Sequence, residues 1–135
     1  VWIGSIDTAQ NEWFMRDNDI GLIVNCTRHI PAHFRNDIPT YRIPIDDSPE
    51  WAPLMASHLR TVTSHMHAVL TSTNTSVLVH CHAGVSRSAT VVAAYLILYH
   101  GYSPSNAIGY IQSQKPETFR PQPVFLSVLK DLHTP

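Results

Sequence analysis

The sequence predicts an α/β fold, a central and mainly parallel sheet flanked by helices. Three observations carry that expectation. Segments of strand length alternate with segments of helical periodicity along the chain. Ile20–Thr27 (IGLIVNCT) and Ser76–His80 (SVLVH) are near-continuous apolar runs, the pattern of strands covered on both faces. Met55, Leu59, Val62, Met66 and Val69 recur at spacings of four, three, four and three, which forms one apolar stripe on a helix.

Taken in order, Val1–Ser5 (VWIGS) reads as a short strand. Thr8–Asn18 is expected as a helix capped by Asp7 or Thr8, with Trp13 and Phe14 turned inward. Ile20–Thr27 is the first buried strand. Arg28–Pro39 holds two prolines and several polar residues and reads as a loop. Thr40–Ile45 (TYRIPI) alternates, with Tyr41, Ile43 and Ile45 on one face. Asp46–Pro49 (DDSP) is turn chemistry. The striped helix follows and ends near Asn74. After the buried strand Ser76–His80, Ser88–His100 is apolar almost all round, so a central buried helix is expected, stopped by Gly101. Ser103-Pro104 supplies an N-cap and a proline at the first helical position of a helix reaching about Gln114. Val124–Leu132 completes the set as an amphipathic helix.

Composition narrows the function classes. The 135 residues fit one domain, 1–135, and the 44% hydrophobic share is enough for a sizeable core. The chain begins at Val1 without a methionine and ends abruptly at Pro135, which reads as a trimmed domain. A net charge of −1 gives no bulk attraction to nucleic acid or anionic membrane. There is no apolar run of about 18 residues and hence no expected membrane span. Two cysteines, Cys26 and Cys81, make no disulfide framework, so an intracellular location is expected, cytoplasmic with the nucleus as alternative. His65-x-His67 and His80-x-His82 lack the spacing of a zinc site, so no metal is expected.

The chemistry concentrates after the last strand. Residues Cys81–Arg87 (CHAGVSR) lie at the carboxyl end of a strand, where open α/β sheets place ligands. The following helix aims its free N–H groups and positive dipole end back at the loop. Gly84 permits backbone conformations that other residues resist, so successive N–H groups can converge into an anion nest. Arg87 offers a planar fork matched to two oxygens of a tetrahedral oxyanion. The same surroundings activate Cys81. Lowering a thiol pKa by roughly three units takes about 4 kcal/mol of preference for the anion. A helix dipole supplies only roughly 0.3–2 kcal/mol. Several N–H donors to sulfur and the nearby Arg87 charge must supply the rest, and the Ser88 hydroxyl can add a further donor. The alternative, that Cys81 is merely a small buried residue, leaves the glycine, arginine and serines of this loop unexplained.

The run His80-Cys81-His82-Ala83-Gly84-Val85-Ser86-Arg87-Ser88 resembles the HCxAGxSRS pattern of the cysteine-dependent protein phosphatases, most closely their dual-specificity branch. The resemblance continues through ATVVAAYLI and KPETFRPQPVFL, and upstream through WIGS, IVNCT and YRIPIDDS. It implies a dual-specificity phosphatase-like fold and hydrolysis of phosphotyrosine and phosphoserine or phosphothreonine in proteins, through a phosphocysteine. Cys81 is then the nucleophile. Arg87 and the N–H groups of His82, Ala83, Gly84, Val85, Ser86 and Arg87 hold the phosphoryl oxygens. Ser88 eases departure of the thiolate, and His80 orders the loop from behind. The acid lies just past the IPI-type strand, where Asp47 matches better than Asp46; both also suit plain turn initiation. kcat/KM is expected to be bell-shaped with a mildly acidic optimum. No cofactor is implied. Cys26, at the end of a neighbouring strand, is a possible redox partner of Cys81, as in some relatives; a packed strand cysteine is the plainer alternative. The chain departs from the family in Pro121-Gln122 for Pro-Asn and in Ile97 for methionine.

Substrate class follows from what the loop lacks. Phosphoinositide-specific relatives carry Lys or Arg inside the loop, whereas His82 and Val85 add no fixed charge here. That favours phosphoprotein over inositol lipid. Arg28, Arg35 and Arg42 are candidates to rim the pocket, or are ordinary solvated charges. The alternatives are a same-superfamily phosphatase acting on a non-protein substrate such as a phosphoinositide, a non-catalytic phosphate-binding module, and arsenate reduction or sulfur transfer on a similar loop.

Overall fold

The computed structural model describes residues 1–29, 38–83 and 85–133. Four strands, β1 (Trp2–Gly4), β2 (Ile20–Asn25), β3 (Thr40–Arg42) and β4 (Ser76–His80), form a sheet in the order β1-β4-β2-β3. Every pairing is parallel. The register sets Asn25 of β2 opposite His80 of β4, so both strands deliver their carboxyl ends to the same edge.

The continuous apolar runs are explained by two-sided burial. Leu22, Val24, Val77 and Val79 join the larger core cluster, whereas Ile23 and Leu78 face the opposite way into a smaller one. The larger cluster packs on α3 (Ala52–Ser72), α4 (Arg87–His100), α5 (Pro104–Gln114) and α6 (Leu126–His133). The stripe read from the sequence is the buried face of α3, with Met55, Leu59, Val62 and Met66 at 0% exposure. Burial of each such side chain stabilises by roughly 1.5–3 kcal/mol. In α4 the residues Ser88 to Tyr95 are all buried, so this helix is the hub between the sheet and the outer helices. Gly101 ends it at φ +71°, a left-handed conformation with open space at the missing Cβ. Ser103 caps α5 by accepting from the Asn106 N–H at 3.1 Å.

The first helical segment departs from expectation. It is two helices, α1 (Ile6–Ala9) and α2 (Glu12–Asp17). Ser5 and Thr8 close a reciprocal capping box, and Asn11 caps α2 by accepting from the Phe14 N–H. With the break at Gln10–Asn11, α2 presents Met15 to the smaller core, and Phe14 packs beside it. Trp13 is not inward: it is 71% exposed, with the Arg16 guanidinium 5.4 Å from its ring centroid. β3 is also shorter than Thr40–Ile45. Pro44 has no N–H for a ladder, and the Ile45 N–H turns back to the Ile43 carbonyl at 3.0 Å. The alternation still holds, since Ile43 and Ile45 are both buried at 0% exposure. β2 stops at Asn25 and α6 begins at Leu126, after a turn through Val124 and Phe125. The expected loop Arg28–Pro39 lies mostly outside the described residues. Among those described, no helix is long and apolar enough to cross a membrane.

Candidate active site

The carboxyl edge of the sheet collects the candidate residues. Cys81 directly follows β4 and is 2% exposed. Ser88, in the first turn of α4, is fully buried, and its hydroxyl Oγ lies 3.3 Å from the Cys81 Sγ. A strand ending at residue 80 and a helix starting at 87 leave a short arc, which folds back so that residues seven apart touch.

The orientation of that arc can be read from its carbonyls. The His82 carbonyl accepts from the Ile6 N–H at 3.1 Å, at the start of α1. The Val85 carbonyl accepts from the Phe119 N–H at 2.7 Å. The Ser86 carbonyl accepts from the Thr90 N–H and hydroxyl, both at 2.9 Å. The Cys81 carbonyl lies 3.4 Å from Nδ1 of the buried His80. In a trans peptide the C=O and the next N–H point in opposite directions. Carbonyls held outward therefore turn the N–H groups of His82, Ala83, Ser86 and Arg87 toward the inside of the arc. N–H groups turned inward in this way can hold an oxyanion. Gly84, assigned to the same nest, lies outside the described residues. Phe119 achieves its bond with a positive φ of 60°, an unusual backbone for an aromatic residue. Ile6, Thr90 and Phe119 carry no sequence signal as braces, because a main-chain bond leaves no residue-type signature.

Arg87 spans two parts of the site. One guanidinium nitrogen, Nη1, donates to the Ile45 carbonyl at 2.9 Å, immediately before the Asp46-Asp47 pair. Among the described residues its buried Nε has no partner, and neither has the buried Ser86 Oγ. A buried donor without an acceptor is unfavourable by about 1–3 kcal/mol. An oxyanion seated in the nest is the natural acceptor for Nε.

The two aspartates part company. Asp46 Oδ2 lies 3.4 Å from Arg28 Nη1. Asp47 is exposed and makes no ion pair or hydrogen bond among the described residues. Of the candidate rim arginines, Arg42 donates to the Thr27 carbonyl at 2.8 Å and so braces the end of β2, Arg28 engages Asp46, and Arg35 lies outside the described residues. His82 and Ala83 are exposed on the outer part of the arc and Val85 is half-buried.

Cys26 follows β2 at 0% exposure, and its N–H donates to the His80 carbonyl at 2.8 Å. One step beyond the Asn25–His80 pair, the register brings it beside Cys81. Neither cysteine is in a disulfide among the described residues. Burial pushes the Cys26 thiol well above its ordinary range, the neighbouring Cys81 pushes the same way, and Arg87 opposes them. Among the described residues no group of three or more His, Cys, Asp or Glu is placed to hold a metal ion.

The sequence and fold are similar to those of known proteins. A family model described as the dual specificity phosphatase catalytic domain matches residues 1–134. Human dual specificity protein phosphatase 14 is 32% identical over 131 residues, which cover 97% of this chain and 64% of that protein. Human dual specificity protein phosphatase 18 is 30% identical over 116 residues, 86% of this chain and 60% of that protein. The crystal structure of human DUSP28 superposes with a TM-score of 0.88 at 30% identity, covering 98% of this chain and 90% of that one. The chain thus spans a little under two thirds of the length of those two curated relatives.

Proposed function

The chain belongs to the dual specificity phosphatase catalytic-domain family, and from that premise we propose that it hydrolyses phosphotyrosine and phosphothreonine or phosphoserine in proteins through a phosphocysteine on Cys81. We read residues 1–135 as one catalytic domain. The observation that carries the proposal is the arc after β4, whose carbonyls are tied outward while a buried cysteine sits 3.3 Å from a serine hydroxyl.

The steps follow from the residues. The phosphoryl group sits in the nest, its equatorial oxygens held by the loop N–H groups and by the Arg87 fork. The Cys81 thiolate attacks phosphorus in line with the leaving oxygen, and the P–O bond breaks as the P–S bond forms. Asp47 delivers a proton to the departing oxygen and later takes one from water in the hydrolysis step. That it makes no ion pair or hydrogen bond among the described residues supports it over Asp46, whose carboxylate faces Arg28. Ser88 donates to sulfur as the thiolate departs. His80, buried behind the loop, keeps the Cys81 peptide in place.

Cys26 is a protective partner in the same reading. Peroxide oxidises the Cys81 thiolate to a sulfenic acid. The Cys26 thiol then attacks that sulfur and water leaves, which gives a disulfide that a dithiol reductant reopens. The adjacency of the two strand ends supports it.

Phosphate release from matched phosphotyrosine and phosphothreonine peptides and a soluble phosphoinositide, with Cys81→Ser as control, tests the reading. Hydrolysis of both peptides, lost in the variant, is expected. Turnover of the lipid alone would keep the chemistry and replace the substrate class, and turnover surviving in Cys81→Ser would overturn the mechanism.

A further inference from the structure

One side chain holds both ends of the turn that carries Asp47. Arg28 lies just beyond β2, outside the phosphate nest. Its Nη1 is 3.4 Å from Oδ2 of Asp46. Its guanidinium carbon is 4.9 Å from the centroid of the Trp51 ring. Its Nη2 is 2.9 Å from Nε2 of His29. Asp46 and Trp51 bracket Asp47 in the chain, and Trp51 is itself packed against the main core. On the inner side, Arg87 holds the same turn through the Ile45 carbonyl at 2.9 Å.

An ion pair this exposed, with Arg28 and Asp46 side chains at 34% and 51%, stabilises little by itself. Its value is directional. A planar guanidinium over a core-anchored indole has a fixed orientation, so the carboxylate that pairs with it is fixed too. Beyond the buried Ile45, the residues Asp46 to Ser48 belong to no strand or helix.

We propose that Arg28 is a positioning residue for proton transfer: by bridging Asp46 to Trp51 it staples the turn so that the Asp47 carboxyl is presented to the leaving oxygen. The proposal rests on the assignment of Asp47 as the acid. It has a signature that a merely structural residue lacks. A well-placed acid matters when the leaving group is a poor one, such as the alkoxide of threonine, and little when it is an acidic phenol. Loss of Arg28 should therefore be felt selectively.

The test is a double-mutant cycle on the intact chain, in which kcat/KM is measured for a phosphothreonine peptide and for an aryl phosphate with an acidic phenol. Arg28→Ala is expected to lower the peptide value about fivefold and leave the aryl value within about twofold, because an acid held in place less often contributes in proportion. Arg28→Lys, which keeps the charge but loses the planar stack, should fall between. In an Asp47→Ala background the Arg28→Ala effect should vanish, since nothing remains to be positioned. Thermal melting of each variant checks folding, and Asp46→Asn, which removes the other partner of the pair, should reproduce the selective loss. Equal losses on both substrates, or an Arg28→Ala effect that persists without Asp47, would overturn the proposal while leaving Asp47 as the acid: Arg28 would then be attracting the phosphate dianion. If Asp47→Ala itself spared the peptide, the acid assignment and this proposal would fall together.

Discussion

Replacing Ser88 by alanine should change which half of the reaction limits turnover. The Ser88 hydroxyl lies 3.3 Å from the Cys81 sulfur, and both residues are buried, at 0% and 2% exposure. Water cannot readily take the place of the lost donor in so closed a site. A hydrogen bond to a charged acceptor is worth about 1.5–3 kcal/mol, which corresponds to a factor of roughly 10–150 in rate if it is made only in the transition state. The loss is felt unequally. When the thiolate attacks, an unsolvated sulfur is a stronger nucleophile, which offsets its lower stability. When the thiolate leaves, nothing compensates. Hydrolysis of the phosphocysteine should slow by that factor while its formation changes little. With an aryl phosphate of acidic phenol, stopped-flow absorbance should then show a burst of phenolate close to one equivalent of enzyme. kcat should fall while kcat/KM is nearly kept. If kcat and kcat/KM fall together with no burst, Ser88 acts before the intermediate and the reasoning is wrong.

Three further expectations can be checked together. Asp47→Asn should lower kcat on a phosphothreonine peptide roughly 100-fold or more and remove the falling alkaline limb of the kcat/KM profile, whereas Asp46→Asn should keep that limb; a retained limb in Asp47→Asn would point to another acid. Cys26 is held protonated in the fold by burial first, so below about its ordinary value of 9.0 it is a thiol in folded and unfolded chains alike. Above that pH the unfolded chain releases the proton and the folded one does not, so stability should decline as pH rises, with Tyr41 and Tyr95, both raised by burial, adding to the decline nearer pH 10. Thermal melts of Cys26→Ala against the parent between pH 7 and 10 should show a later onset of that decline in the variant. Gly101→Ala puts a side chain at φ +71° and should lower stability by about 1 kcal/mol, or roughly 3–4 °C in Tm, with activity per folded molecule unchanged.

The structure explains why parts of this were legible and parts were not. β4, α4 and α5 announce themselves through local signals: an uninterrupted apolar run, a buried helix stopped by glycine, and a serine-proline start. The Cys81–Arg87 loop stands out for the same reason, since a cysteine, a glycine and an arginine crowd into so few residues at a strand-to-helix turn. The split between α1 and α2 was missed because Asn11 serves equally well inside a polar helix face and as a cap, and only the packing of Met15 decides. Trp13 misled because its size argued for burial, while helical geometry gave the inward direction to its neighbours. The Arg28 bridge joins segments that neither spacing nor composition relates, and Phe119 braces the loop through its backbone alone.

The bracing of the loop has a practical consequence. Ile6 near the start of the chain and Phe119 near its end each lie one hydrogen bond from the residues after β4. A cut in the turn between α3 and β4, at Thr73–Thr75, would divide the chain into a piece bearing the proposed acid and one brace and a piece bearing the proposed nucleophile and the other. Neither piece holds a complete catalyst. On the proposed mechanism turnover would return only on reassembly, so the chain would serve as a two-fragment reporter in which catalysis reads out the meeting of whatever each fragment is fused to.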